Sequence, residues 1–146
     1  MGVDIHLFVE KFDKTTNRWE TAEHENWLWE GRNYSLFSKL AGIRHYTKPF
    51  KEPVGLPKDL AETTKQFYQE GKGHYFGMTH YSLQELLEQD WMDEEGEGED
   101  YNKIHEGKQI SHNYYSFYTS LLLLQKVCRH ANWNYKDIRI VMWFDN

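Results

Sequence analysis

Residues 3–11, VDIHLFVEK, and residues 135–146, YKDIRIVMWFDN, decide the fold. In the first stretch Val3, Ile5, Leu7 and Val9 alternate with Asp4, His6 and Glu10, the period-two pattern of a strand with one buried face. In the second, Ile138, Ile140, Met142 and Phe144 share one face and Arg139, Val141, Trp143 and Asp145 share the other. The turn DKTTN and the return RWETAE make the first strand one arm of an N-terminal hairpin. If the two chain ends pair, Asp4, His6, Glu10, Arg139, Trp143 and Asp145 gather on the face away from the core. A slip of one residue would scatter that set.

The residues between the two ends read as helices and loops. YSLFSKLAGI places Leu36, Phe37, Leu40 and Ile43 on one helical face, with Gly42 suited to cap its C-terminus. All three prolines fall in YTKPFKEPVGLPKD, a surface loop, with Pro57 in the first turn of a helix that runs to about Glu70 and ends at Gly71 and Gly73. Ser82 and Glu85 form a capping-box pattern, so a short helix follows and buries Leu83, Leu86 and Leu87. His74 and His80 lie in the glycine-rich approach to its N-terminus, where unpaired N–H groups favour an anion. From about Ser111 to His130 runs the longest helix, with Tyr114, Phe117, Leu121, Leu124 and Cys128 on one side. The expected fold is a single α+β domain spanning residues 1–146: a small antiparallel sheet, formed by the N-terminal hairpin and the C-terminal strand, packed on one side by about four helices.

At 146 residues the chain has the length of one domain. Its single cysteine, Cys128, excludes an internal disulfide and points to a reducing, cytoplasmic compartment. The start lacks the pattern of a signal peptide, His6 stands where an acylation signal needs Ser or Thr, and no apolar run approaches the length of a membrane span. The formal charge of −6 is concentrated: seven acids and no base lie between Asp90 and Asp100, and residues 92–100 read as a mobile acidic loop. Conversely, Gly31 to Lys58 holds six bases against Glu52, a stretch able to meet phosphates. Double-stranded DNA is not an expected partner, since no basic helix is evident and the acidic segment would repel it. Phe, Trp and Tyr together make up 16% of the chain. Trp27, Trp29, Tyr46, Tyr75, Phe76 and Tyr101 fall in segments read as loops, where aromatics line pockets or pack as satellite clusters.

Asp4, His6 and Asp145 make a carboxylate and imidazole set that suits a divalent metal able to activate water against a phosphoester. The same residues also suit a purely structural role, Asp4 paired with a base and His6 as a satisfied imidazole. Zinc-site spacings, a P-loop and a G-x-G-x-x-G turn are all absent from the sequence, and Cys128 sits in an apolar helix with no activating base near it.

MGVDIH at the start, GRNYSLFSKLAGIR at 31–44, PVGLPKDL at 53–60, SLQELLEQDW at 82–91 and the terminal VMWFDN resemble an uncharacterised family of small bacterial and bacteriophage proteins over most of the chain. The resemblance implies Asp4, His6, Arg32, Tyr34, Arg44 and Asp145 as positions matching the family pattern. Cysteine is frequent between the Gly and Asp of that pattern, and Val3 here argues against a thiol role. The resemblance supplies no reaction, but a phage connection suggests proteins that disarm host defence by sequestering or cleaving nucleotide signals. Three expectations follow. The first is a protein that binds a small phosphate-containing ligand, with Arg32 and Arg44 on phosphate, Tyr34, Tyr46 or Trp29 on a base, and His74, His80 and Trp143 as further contacts. The second is a metal-assisted phosphodiesterase using Asp4, His6 and Asp145. The third is an interaction module that caps a host enzyme through its aromatic surface. Pairing between copies through the sheet edges is a further expectation.

Overall fold

The ends of the chain do pair, in the register that gathers the polar set. In the computed structural model, which describes residues 2–71, 73–92 and 110–146, four strands form one antiparallel sheet. They are β1 (Asp4–Asp13), β2 (Arg18–Thr21), β3 (Phe76–Ser82) and β4 (Ile138–Asp145), in the order β2-β1-β4-β3. Along the β1–β4 ladder Asp4 faces Asp145, His6 faces Trp143, Phe8 faces Val141 and Glu10 faces Arg139. The acidic segment expected at 92–100 lies outside the described residues from position 93 on, as does Tyr101.

Strand β3 departs from the expectation of a loop leading to a helix. Its pairing with β4 is irregular between Phe76 and Thr79, and Gly77 turns through a φ of 65° there. An irregularity of this kind breaks the period-two alternation by which a strand is recognised in sequence. Phe76 and His80 are therefore strand residues.

Among the described residues four α-helices accompany the sheet: α1 (Tyr34–Ala41), α2 (Glu62–Glu70), α3 (Leu83–Glu88) and α4 (Tyr115–Ala131). Asn33 caps α1 and Gly42, at φ 70°, ends it; Ser82 and Glu85 form the expected capping box on α3. Residues of α1, α3 and α4, among them Leu36, Phe37, Leu83, Leu86, Phe117 and Leu121, bury the sheet face that carries Ile5, Leu7, Val9, Ile140, Met142 and Phe144. The sheet is not covered on one side alone, however. A second, smaller core of Phe8, Val141 and Trp143 lies on the opposite face, where Leu56, Leu60 and Tyr68 pack over it. The face read as polar has an apolar centre, and α2 and the loop before it close over that centre.

Helix α2 also starts later than expected, at Glu62 rather than near Pro57. The cause is a buried ion pair. Arg139 donates from Nε to Glu10 Oε1 at 2.8 Å, and the two side chains are almost wholly excluded from solvent. The same guanidinium donates to the Asp59 carboxylate at 2.8 Å and to its carbonyl at 3.1 Å, while Glu10 Oε2 accepts the Ala61 N–H at 3.1 Å. Those bonds hold residues 59–61 out of the helix. Trp19 closes the pair, its ring centre 3.9 Å from the guanidinium carbon.

A charge left alone at this depth is expensive, whereas an apolar replacement of both partners is tolerated. Arg139→Met is expected to lower stability by about 3–5 kcal/mol in urea titrations, and Glu10→Met with Arg139→Met together to lower it by clearly less than the two single losses combined. Strictly additive losses would show that the pair is not coupled.

Candidate functional site

The open end of the β1–β4 ladder brings three sequence-predicted residues together. His6 lies between two carboxylates: Nδ1 is 2.6 Å from Glu25 Oε1 and Nε2 is 2.7 Å from Asp145 Oδ2. Only a ring protonated on both nitrogens can donate to both. Burial by itself pushes the imidazolium pKa down, but the hydrogen bonds and charges of Glu25 and Asp145 outweigh it and hold the pKa above the ordinary histidine value. The ring rests on Tyr75 and Trp143, with centroid separations of 5.2 and 5.9 Å.

Glu25 reaches His6 because Asn26 stitches its turn to β1. Asn26 takes a φ of 57°, a conformation Asn tolerates better than most residues. Its backbone N–H donates to the Leu7 carbonyl at 2.8 Å, its side-chain oxygen accepts the Leu7 N–H at 2.8 Å, and its amide donates to the Ile5 carbonyl at 3.1 Å. One residue, through its backbone and its side chain, thus does the work of a short strand.

Asp4 turns away from His6 toward Arg32, which donates from Nε at 2.8 Å and from Nη2 at 3.2 Å. This two-point bond holds the Asp4 carboxyl below the usual carboxylate range. The guanidinium passes directly over Gly2, where an added Cβ would stand 2.0 Å from it. Asp4, His6, Glu25, Glu30, Arg32 and Asp145 line an open cleft of about 630 Å³. Four carboxylates there face one guanidinium and one imidazolium, so the cleft is negative and its floor accepts hydrogen bonds.

Arg32 lies over Gly2, and the next residue, Val3, donates its N–H to the Tyr34 hydroxyl at 3.2 Å, which sets Tyr34 beside the Arg32 end of the cleft. On the Tyr34 ring sits the Arg44 guanidinium, 4.2 Å from the centroid, and Tyr46 meets the same ring edge-on at 6.3 Å. Arg44 and His45 are successive non-glycine residues with left-handed φ values of 62° and 52°. Buried Ser38 holds this strained turn: its hydroxyl donates to the Ile43 carbonyl and accepts the Tyr46 N–H. Of the expected phosphate and ring contacts, Arg32, Tyr34, Arg44 and Tyr46 therefore form one surface.

Other candidates are spent elsewhere. Trp29 donates to Ser116 Oγ at 2.7 Å and packs edge-on against Phe37 and Phe117, so it joins α1 to α4 instead of facing a ligand. Trp143 is fully buried beneath His6, Tyr68 and Tyr75, and its indole N–H has no hydrogen-bond partner among the described residues. His80 is bound through Nδ1 to the Gly55 carbonyl at 3.1 Å and fastens that loop along β3; His74 sits exposed in the preceding turn. The anion expected at the start of α3 meets a terminus already capped by Ser82 and Glu85. Cys128 is buried, and burial pushes its thiol pKa up, away from nucleophilic use.

The expected metal set does not converge. Asp4 is held by Arg32, both His6 nitrogens are engaged by carboxylates, and among the described residues no group of three or more His, Cys, Asp or Glu side chains is arranged to hold a metal ion. Glu25, Glu30, Asn26 and Tyr75 were absent from the expected site. They come from irregular segments, Glu25 and Tyr75 meeting His6 and Asn26 and Glu30 lining the cleft, through tertiary placement that no spacing announces; the left-handed tolerance of Asn26 is the nearest thing to a signal.

The raised His6 pKa carries a definite pH dependence. A group whose pKa is higher folded than unfolded adds stability below its unfolded value, 6.5, and loses it as pH rises through the folded value. Thermal melts between pH 6 and 9 are therefore expected to show Tm falling with pH, and His6→Gln to flatten that slope. An unchanged slope in the variant would show that His6 does not gain protonation on folding.

Comparison of the chain with protein-family models, with curated proteins and with solved structures gives no match, and the chemistry of this site rests on its own geometry.

Proposed function

We propose that the protein binds a small phosphate-bearing ligand whose body is rich in hydrogen-bond donors, the class to which nucleotides belong. The carrying observation is the position of Arg32, which lines the negative cleft on one side and adjoins the Tyr34–Arg44–Tyr46 surface on the other. Electrostatics divides the two ends of such a ligand. A phosphate deep among Asp4, Glu25, Glu30 and Asp145 would be repelled, so it belongs at the rim, where Arg32 and Arg44 supply planar donors. Ribose hydroxyls or exocyclic amino groups suit the floor, where Glu25 and Asp145 each keep an oxygen beyond the one bound to His6. Tyr46, 60% exposed, offers a ring face at the rim.

Arg32 is able to serve because its bond to Asp4 is a solvent-exposed ion pair, easily exchanged for a ligand oxyanion. His6, protonated, offsets its two carboxylates and keeps the floor from becoming more negative still. The phosphodiesterase reading gains no comparable support, since its three residues do not converge on a shared point. A counter-defence role follows from the family resemblance alone and adds no residue to this site.

Calorimetry with linear, cyclic and ADP-ribose-type nucleotides is expected to find at least one micromolar ligand. Arg32→Met and Arg44→Met are each expected to weaken it by on the order of tenfold, the usual scale of a charge-assisted hydrogen bond. Absence of heat across the panel at millimolar ligand, or binding indifferent to both substitutions, would overturn the assignment.

A further inference from the structure

Helix α4 has the wrong outer face for a helix in water. Of the four consecutive leucines at 121–124, Leu121 and Leu124 are buried in the core, while Leu122 is 40% and Leu123 60% exposed. Val127, one turn on, is 41% exposed. Leu123, Lys126, Val127, His130 and Ala131 line a shallow apolar groove of about 460 Å³. Their spacing of three, four, seven and eight residues is one continuous stripe two turns long. The outer side of α2 shows the contrast: Glu62, Thr63, Lys65, Gln66, Gln69 and Glu70 are its exposed residues, with Phe67 the one large apolar side chain among them.

Within α4 itself the formal charges are all of one sign. Residues 115–131 contain no Asp or Glu, and Lys126, Arg129 and His130 are exposed, in a chain whose formal charge is −6. Cations in the last turn complement the helix dipole, which accounts for Arg129 and His130 but not for Lys126 in the middle of the stripe.

We propose that this face of α4 docks an acidic amphipathic helix of a partner protein, with apolar residues at i, i+3 or i+4, and i+7 set against Leu123 and Val127, and Asp or Glu flanking them opposite Lys126 and His130. Charge selects this occupant over two others. A second copy would bring an identical stripe with no carboxylate, so in either orientation the cations stay unmatched. An anionic membrane calls for a cluster of about four to eight Lys or Arg, and α4 presents two, Lys126 and Arg129. The surface is small, so the complex belongs to the weak, transient class.

The test uses the whole protein and a displayed library of helical peptides with randomised surface positions. Enriched peptides are expected to combine the apolar spacing above with flanking Asp or Glu, and to bind at micromolar Kd. Leu123→Glu is expected to weaken them by tenfold or more, and Lys126→Glu severalfold with a shallower salt dependence. Both residues are exposed, so the melting temperature should be unchanged, and nucleotide binding at the cleft should be retained. No enrichment, enrichment of basic peptides, or binding indifferent to both substitutions would overturn the proposal. So would a Leu123-dependent dimer in sedimentation, or binding to phosphatidylserine vesicles in place of the peptides.

Discussion

The antiparallel contact between the first and last strands is the constraint on which the rest of the molecule depends. It joins residues 127 to 141 positions apart, and it includes a buried ion pair, Glu10 with Arg139. A buried charge pair is a poor source of net stability but a strong discriminator between registers, because any slip leaves two charges without partners in a medium that solvates them badly. Here the pair has a second effect. By drawing in Asp59 and the Ala61 N–H, it fixes where the loop ends and α2 begins, and so places the helix that covers Phe8 and Trp143.

With that register in place, the open end of the ladder has no freedom to do otherwise than gather Asp4, His6 and Asp145. What the gathering produces is different from a metal centre. Each acid finds a nearby cation, Arg32 for Asp4 and the His6 imidazolium for Asp145 and Glu25, because an isolated carboxylate beside another is costly even at a half-exposed site. The result is a cleft in which Asp4, Glu25 and Asp145 each lie beside a cation, the net charge stays negative, and Glu25 and Asp145 each carry an oxygen beyond the one bound to His6. Beside it lies a basic, aromatic rim held in a strained turn by one buried serine hydroxyl. The two surfaces differ in sign and meet at Arg32, an arrangement suited to a ligand that is itself divided into an anionic end and a donor-rich body.

The cleft and the outer face of α4 are thus of different kinds. The cleft is polar and sits at strand ends, where tertiary structure assembles side chains from four separate segments. The outer face of α4 is apolar and local, a single helix whose inner and outer sides both carry leucine. A ligand site needs the former and a docking stripe needs only the latter.

Elements with regular periodicity were legible in the sequence alone: β1 and β4 by their alternation, α1 and α4 by their apolar faces, α3 by its capping box, and from these the α+β class and the shared face of Asp4, His6 and Asp145. These follow from local rules, since a strand or helix writes its own period into the chain. Strand β3 was hidden by an irregularity that destroys the period, and the late start of α2 by bonds from residues on two other strands. The partners of His6 were hidden for the same reason: Glu25 and Tyr75 arrive through irregular backbone, and whether an imidazole next to carboxylates becomes a metal ligand or a paired imidazolium depends on distances of a fraction of an ångström. Such distances are set by packing among segments far apart in sequence, and only the folded chain decides them.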